Sequence, residues 1–201
     1  MKIKNIENDY FISVDNETLD LLERQGEKCA NEVIEANKSI RETAFKIFNL
    51  LILGTGGSFI LLTQTKELNY LSFILSIFCI GWGLITIYIA SSCVIRKYRP
   101  LANPHPKAVY PEVYKNLNND DYSYFSSIGY TGERSSLPIF RRYKLGTLQV
   151  AIDETLELNE KMANSLNLAI KLSAGIPIAA CLISLIYYLM IFICSFLVSH
   201  P

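Results

Sequence analysis

The chain has 201 residues, of which 50% are hydrophobic and only 19% charged, with 19 basic side chains balancing 19 acidic ones. Together with a mean hydropathy of +0.23, this composition suits neither a disordered chain nor an ordinary soluble domain. A net charge of zero, with no run of Lys and Arg interleaved with aromatics, also excludes bulk attraction to nucleic acid, so no direct nucleic-acid binding is expected.

Residues 1–15 form an N-terminal segment. The first apolar run starts only near position 47, behind an acidic, helix-patterned stretch and not a short basic leader, so the mature chain is expected to begin at Met1. Residues 16–46 are predicted to be an amphipathic helix, with Asp15 or Asn16 as N-cap. Leu19, Leu22, Gly26, Cys29, Val33, Ala36, Ile40, Thr43 and Ile47 recur at alternating spacings of three and four, which sustains one seam and calls for a packing partner. Gly26, Cys29 and Ala36 make that seam thin, which favours assembly in a bundle over a free-standing zipper.

Three windows, Ile47 to Thr63, Tyr70 to Ile95 and Leu172 to His200, contain no Asp, Glu, Lys or Arg. A hydrocarbon core of about 30 Å needs about 20 helical residues at about 1.5 Å each, so each window is long enough to span. The shortest is completed by Ala44, Phe45 and the stem of Lys46, whose ammonium can snorkel to the headgroups. The expected fold class is an all-α integral membrane protein, with transmembrane helices at 47–64, 70–95 and 172–198. The first and third continue long cytoplasmic helices.

Between the spans, 65–69 is read as an outside hairpin loop and 96–142 as an irregular cytoplasmic region rich in Tyr and Pro. In that region Pro111 to Leu117 suits a short helix, while Tyr122 to Ile128 suits a strand or another short helix. Residues 143–171 are predicted to be a second cytoplasmic amphipathic helix, with Leu145, Leu148, Ile152, Leu156, Ala163, Leu166 and Ile170 on one face, interrupted by Asn159. Gly175 and Pro177 follow as a candidate hinge or a static kink. Residues 199–201 are an outside tail.

Lys38, Arg41 and Lys46 precede the first span, Arg96, Lys97 and Arg99 follow the second, and Lys161 and Lys171 precede the third, whereas the opposite side offers only Lys66 beside Glu67. The expected protein is therefore multi-pass in the inner (plasma) membrane, with its N-terminus cytoplasmic and its C-terminus outside.

The spans offer Ser, Thr, Tyr, Cys and a terminal His as their reactive or ionisable chemistry, with no Asp, Glu, Lys or Arg, which argues against proton pumps, ion-coupled transporters and intramembrane proteases. His105 stands alone between prolines and no nucleophile, P-loop or dinucleotide motif is present, so no enzyme activity is expected. The five cysteines are scattered without metal-ligand spacing, and no cofactor or metal is expected.

Two basic clusters, Arg96-Lys97-Arg99 and Arg141-Arg142-Lys144, are placed at the membrane-proximal ends of the cytoplasmic segments. With Arg134 they are candidates for holding membrane lipid headgroups, or an anionic ligand such as a nucleotide signal. In the first two spans Gly54, Gly56, Gly57, Ser58, Ser72, Ser76, Gly81 and Gly83 let helix backbones approach, either inside one protomer or between protomers of a homo-oligomer lining a pore.

The order of elements resembles the Pycsar transmembrane effectors of bacterial antiphage defence and, more loosely, the two-span SLATT family. Lys46, Leu50-Leu51 and Gly54-Thr55-Gly56-Gly57 stand comparably to that family's lysine, Leu-Leu pair and small residues. Where the family carries an acidic residue two positions before the lysine, this chain has Ala44. The resemblance implies an oligomer that permeabilises or depolarises the inner membrane when infection is signalled. Two readings stand beside it: a non-catalytic membrane sensor or anchor that recruits a soluble defence protein, and a holin or small transporter component.

Overall fold

The computed structural model of the protein describes residues 9–65, 70–95 and 114–199. Among these residues every regular element is helical. Helix α1 spans Asn16–Gln64, α2 Tyr70–Ile89, α3 Asn119–Ser127 and α4 Ser136–Ser199. A single π-helical turn, Ala90–Val94, prolongs α2 and closes with the Ile95 amide donating to the Ala90 carbonyl at 2.9 Å. Three helices, α1, α2 with its π turn, and α4, are long and apolar enough to cross a membrane.

The chain divides into two compact units, Met1–Lys38 with Lys97–Glu160, and Ser39–Arg96 with Lys161–Pro201. Helices α1 and α4 each contribute to both.

The first unit begins with an N-cap. Asp15 accepts the Thr18 amide at 2.9 Å and the Thr18 hydroxyl at 2.7 Å, satisfying a donor that the helix leaves free in its first turn. Helix α3 is fixed at both ends. The Asn118 side chain accepts the amides of Asp120 and Asp121 at 2.8 and 3.0 Å, while Asp121 returns a bond to the Asn118 amide at 2.8 Å, completing a capping box. At the other end Gly129 adopts φ 98°, a left-handed conformation for which glycine carries no steric penalty. The Tyr130 amide reaches the Phe125 carbonyl at 2.9 Å and the Gly129 amide reaches Ser126 at 3.2 Å, the bonding pattern of a Schellman cap. These two caps resolve the open choice at Tyr122–Ile128 in favour of a helix.

The caps deliver Phe125 and Tyr130 into a cluster with Ile12 and Ile139, flanked by Tyr114, Leu117, Tyr122, Ile128 and Tyr143. Phe11, Leu19 and Leu145 continue the core, and Ala30, Val33 and Ile152 extend it. The seam of α1 therefore meets α4 of the same chain. A Cβ on Gly26 would lie 2.9 Å from Leu148 Cδ2, so the thin seam is matched by a bulky residue on its partner. Leu19 and Val33 are buried, and Leu22 and Cys29 pack against their clusters. The companion stripe, however, runs one residue later than the sequence pattern suggested. Asn37 is buried and Ala36 exposed.

The face of α4 shifts the other way, one residue earlier: Met162 and Ala169 are buried beside half-buried Ala163 and exposed Ile170. Leu156 and Ile170 are exposed, whereas Asn159 is buried between Ile152 and Leu166 on the buried side. Asn159 thus belongs to the packed face that it was expected to interrupt. The Asn37 amide nitrogen donates to Asn159 Oδ1, and Asn159 Nδ2 donates to the Val33 carbonyl at 2.9 Å, so a polar pair replaces an apolar layer.

In the second unit α1 contributes buried Ala44, Leu51 and Ser58 at seven-residue spacing, and α4 contributes Met162, Leu166, Ala169 and Ala180. Ile40 is half-buried. Hydroxyls on the apolar stretches bond to carbonyls of their own helices: Ser58 to Gly54 at 2.8 Å, Ser76 to Ser72 at 2.8 Å, Thr86 to Trp82 at 2.7 Å and Ser184 to Ala180 at 2.8 Å. Such back-bonding lets a hydroxyl sit on an apolar helix without water.

Candidate functional site

Of the basic residues singled out above, Arg96, Lys97 and Arg99 lie outside the described residues, and Arg134 and Lys144 are exposed. Arg141 and Arg142 are adjacent in sequence but serve different partners. Arg141 Nε lies 3.1 and 3.2 Å from the two carboxylate oxygens of Glu23, its Nη2 lies 2.6 Å from Glu23 Oε2, and the same Nη2 pairs with Asp20. The hydrogen bonds from Glu23 first, and then from Asp20, raise the guanidinium pKa further.

Arg142 is only 3% exposed. Its Nε donates to the Val14 carbonyl at 3.1 Å, its Nη1 to the Pro138 carbonyl at 2.8 Å, and its Nη2 to Asn16 Oδ1 at 3.1 Å. The guanidinium carbon also stands 5.1 Å over the Tyr130 ring, a cation–π distance. Burial lowers the Arg142 pKa and raises that of Tyr130. Among the described residues the cation is held by carbonyls, the Asn16 amide oxygen and the ring, with no carboxylate hydrogen-bonded to it.

In the expected anion site at Arg141-Arg142-Lys144, both arginines have partners within the chain and Lys144 is exposed. The two arginines tie α4 to the segment preceding α1 and to the first turns of α1. The cause is the start of α4 at Ser136, earlier than the predicted Tyr143, which places the cluster inside a helix and sends neighbouring side chains in different directions. Nearby, Asp9 accepts from Tyr143 at 3.0 Å and from Tyr124 at 3.4 Å. Burial first, and then the Asp9 carboxylate, push the Tyr143 phenol up.

The small residues of the apolar stretches divide into two sets. Gly54 and Gly81 face neighbours in the same chain: a Cβ on Gly54 would lie 2.4 Å from Trp82 Cζ3, and one on Gly81 2.6 Å from Ile176 Cδ1. Ser58 and Ser72 are buried. A Cβ on Gly56 or Gly57 would meet nothing within 4 Å among the described residues, and one on Gly83 would lie 3.8 Å from Thr55 Cγ2.

Trp82 is the side chain that the sequence pattern missed. Its ring lies over Gly54 and stacks edge-on with Phe78 at 4.9 Å, while its Nε1 donates to the Ser173 carbonyl at 3.3 Å. Pro177 lies inside α4 and has no N–H to give to the carbonyl four residues earlier, which is that of Ser173. Trp82 thus supplies the donor that the proline removes, and it joins α1, α2 and α4 at one point. Gly175, the other candidate hinge residue, faces open space.

Among the described residues no group of three or more His, Cys, Asp and Glu could hold a metal ion. Cys29, Cys79, Cys93 and Cys181 are free thiols, and Cys93 lies 3.5 Å from the Met162 carbonyl. No protein-family model, curated protein or solved structure matches the chain.

Proposed function

We propose that this chain is a three-span protein of the bacterial inner membrane, with its N-terminus in the cytoplasm and its C-terminus outside. It acts as an oligomeric antiphage effector of the Pycsar type, permeabilising or depolarising the membrane when triggered. The observation that carries the membrane reading is the exposure of the apolar helices: only 11%, 17% and 6% of the residues in their most apolar windows are buried inside the molecule. Leu50, Leu53, Phe59, Ile60, Ile80, Leu84 and Ile87 stand open, far more apolar surface than a water-soluble monomer leaves exposed. Lipid covers such a surface, and the self-bonded hydroxyls are compatible with it.

The effector reading is supported by the resemblance around Lys46, Leu50-Leu51 and Gly54–Gly57, and by the open backbone at Gly56 and Gly57, where a second copy of α1 can approach closely. The cytoplasmic seam of α1 is covered by its own α4, so self-association is assigned to the apolar helices.

The test is expression of the intact chain in bacteria loaded with a potential-sensitive dye and challenged with phage. Depolarisation after infection, weakened by Gly56→Leu and Gly57→Leu, is expected. Membranes that stay polarised under every challenge, with a stable hetero-complex on purification, would replace the effector with the anchoring subunit.

A further inference from the structure

We propose that Arg41 and Lys46 form a binding site for a phosphate group, seated at the start of the first apolar window. Arg41, Glu42, Phe45 and Lys46 of α1, with Val94 of the π turn, line an open-sided hollow of about 380 Å³. That volume falls within the range of small-ligand sites, about 300–1,000 Å³. The Nε of Arg41 is buried without a hydrogen-bond partner. A buried donor on a charged group that lacks an acceptor is costly, because it has left water without replacement. Arg41 also lines the hollow, so an anion seated there can draw the guanidinium round and give its donors, Nε included, an acceptor.

The chemistry of the lining selects phosphate. A guanidinium presents parallel N–H donors suited to two oxygens of one phosphate, and an ammonium adds a mobile point charge. Two cations outweigh one carboxylate, and Glu42 already has a polar interaction of its own. Phe45 and Val94 give the hollow an apolar wall, so the ligand is amphipathic, with a phosphate at one end and an apolar portion beside it.

Two sources share this chemistry: an anionic phospholipid headgroup and a soluble nucleotide. The lipid source rests on the membrane-spanning reading, since residues 41–46 immediately precede the charge-free run that begins at Ile47. The phosphate site itself does not rest on it.

The experiment uses the full chain in detergent, with dioleoyl phosphatidylglycerol followed by native mass spectrometry and AMP followed by calorimetry. At least one is expected to bind, and R41Q/K46Q is expected to weaken that binding at least tenfold, with Lys28→Gln as an unchanged control. Val94→Trp fills the hollow without altering charge and is expected to weaken binding equally. Helix content by circular dichroism identifies any variant that does not fold, in which case Arg41→Lys, retaining charge but not the fork, replaces it and is expected to lose part of the affinity. Phosphatidylglycerol alone selects the lipid source and AMP alone the nucleotide. Binding of neither probe, or equal binding by wild type and folded variants, overturns the site. Failure of the chain to enter membranes removes only the lipid source and leaves the AMP measurement to decide.

Discussion

Replacing Asn37 by Ala tests whether the polar pair in the α1–α4 seam holds that seam together. Asn37 and Asn159 are 2% and 7% exposed, so water does not replace a lost partner. Asn37→Ala removes the donor to Asn159 Oδ1 and leaves that acceptor buried and unpaired, at a cost of about 2 kcal/mol. Asn159→Ala removes that bond and the 2.9 Å bond to Val33, and is expected to cost about 3 kcal/mol. If the pair acts as a unit, the double alanine variant costs less than the sum of the single changes, by a coupling of about 1 kcal/mol. Asn37→Leu with Asn159→Leu puts an apolar layer in place of the polar one and is expected to recover most of the stability, with looser specification of register. The assay is urea unfolding of the full chain in mild detergent by far-ultraviolet circular dichroism, with amide exchange over residues 26–38 reporting the local seam. Single variants within about 0.5 kcal/mol of wild type, as at ordinary surface positions, would refute the reasoning. So would a double leucine variant as unstable as either alanine.

Trp82→Phe leaves the Ser173 carbonyl without its donor and is expected to destabilise the apolar unit by about 1 kcal/mol. The same change in a Pro177→Ala background should cost less, because residue 177 then supplies the missing N–H, and steric trapping or unfolding in detergent measures the difference. Arg142→Met strands the Val14 carbonyl and Asn16 Oδ1 now bonded to Arg142, while the Pro138 carbonyl keeps its helical bond, and is expected to cost about 2 kcal/mol. Arg141→Gln should cost less, about 1 kcal/mol or below, because the side chains of Arg141 and Asp20 are 30% and 57% exposed; thermal melts rank the two. The Thr18 amide and hydroxyl hold the Asp15 carboxyl below its usual value, so the cap is fully present above the unfolded-state pKa and is lost as pH falls through the lower folded value. Protection of the first-turn amides of α1, taken relative to the intrinsic exchange rate at each pH, should fall over that acid window, and in Asp15→Asn the protection should not change with pH there.

How much of this was legible in the sequence depends on whether one residue or two carry the signal. The three apolar windows stood out because each is charge-free over its whole length, and the stripe at Leu19, Gly26 and Val33 followed from helical period alone. The companion stripe did not, because Asn159 taken singly reads as an interruption and Ala36 suits the stripe better than polar Asn37; the two asparagines become core residues only as a hydrogen-bonded pair. The start of α4 was obscured by Pro138, counted as a turn former although proline is tolerated in the first turn, where its missing N–H has no helical acceptor. Asn118 with Asp121 forms a capping box for α3 whose spacing is readable in the sequence, but the tyrosines between it and Ile128 suit a strand equally well. Trp82 gave no periodic signal at all. Its role arises from a carbonyl that Pro177 orphans ninety-one residues away.

The same distinction bears on where function resides. The charges that looked free in the sequence, Arg141 and Arg142, are consumed by folding, so their loss is expected to cost stability before it costs any ligand. Arg41, which looked like one of several topology-setting cations, keeps a buried donor without an acceptor beside a hollow large enough for a ligand. Folding leaves that donor unsatisfied, and a binding event can satisfy it. A cation in that condition, just before the apolar stretch of α1, is placed to make the stability of α1 depend on what occupies the hollow, and a ligand that binds only the folded arrangement stabilises it by RT ln(1 + L/Kd), where L is its free concentration, growing with the logarithm of that concentration once it exceeds Kd.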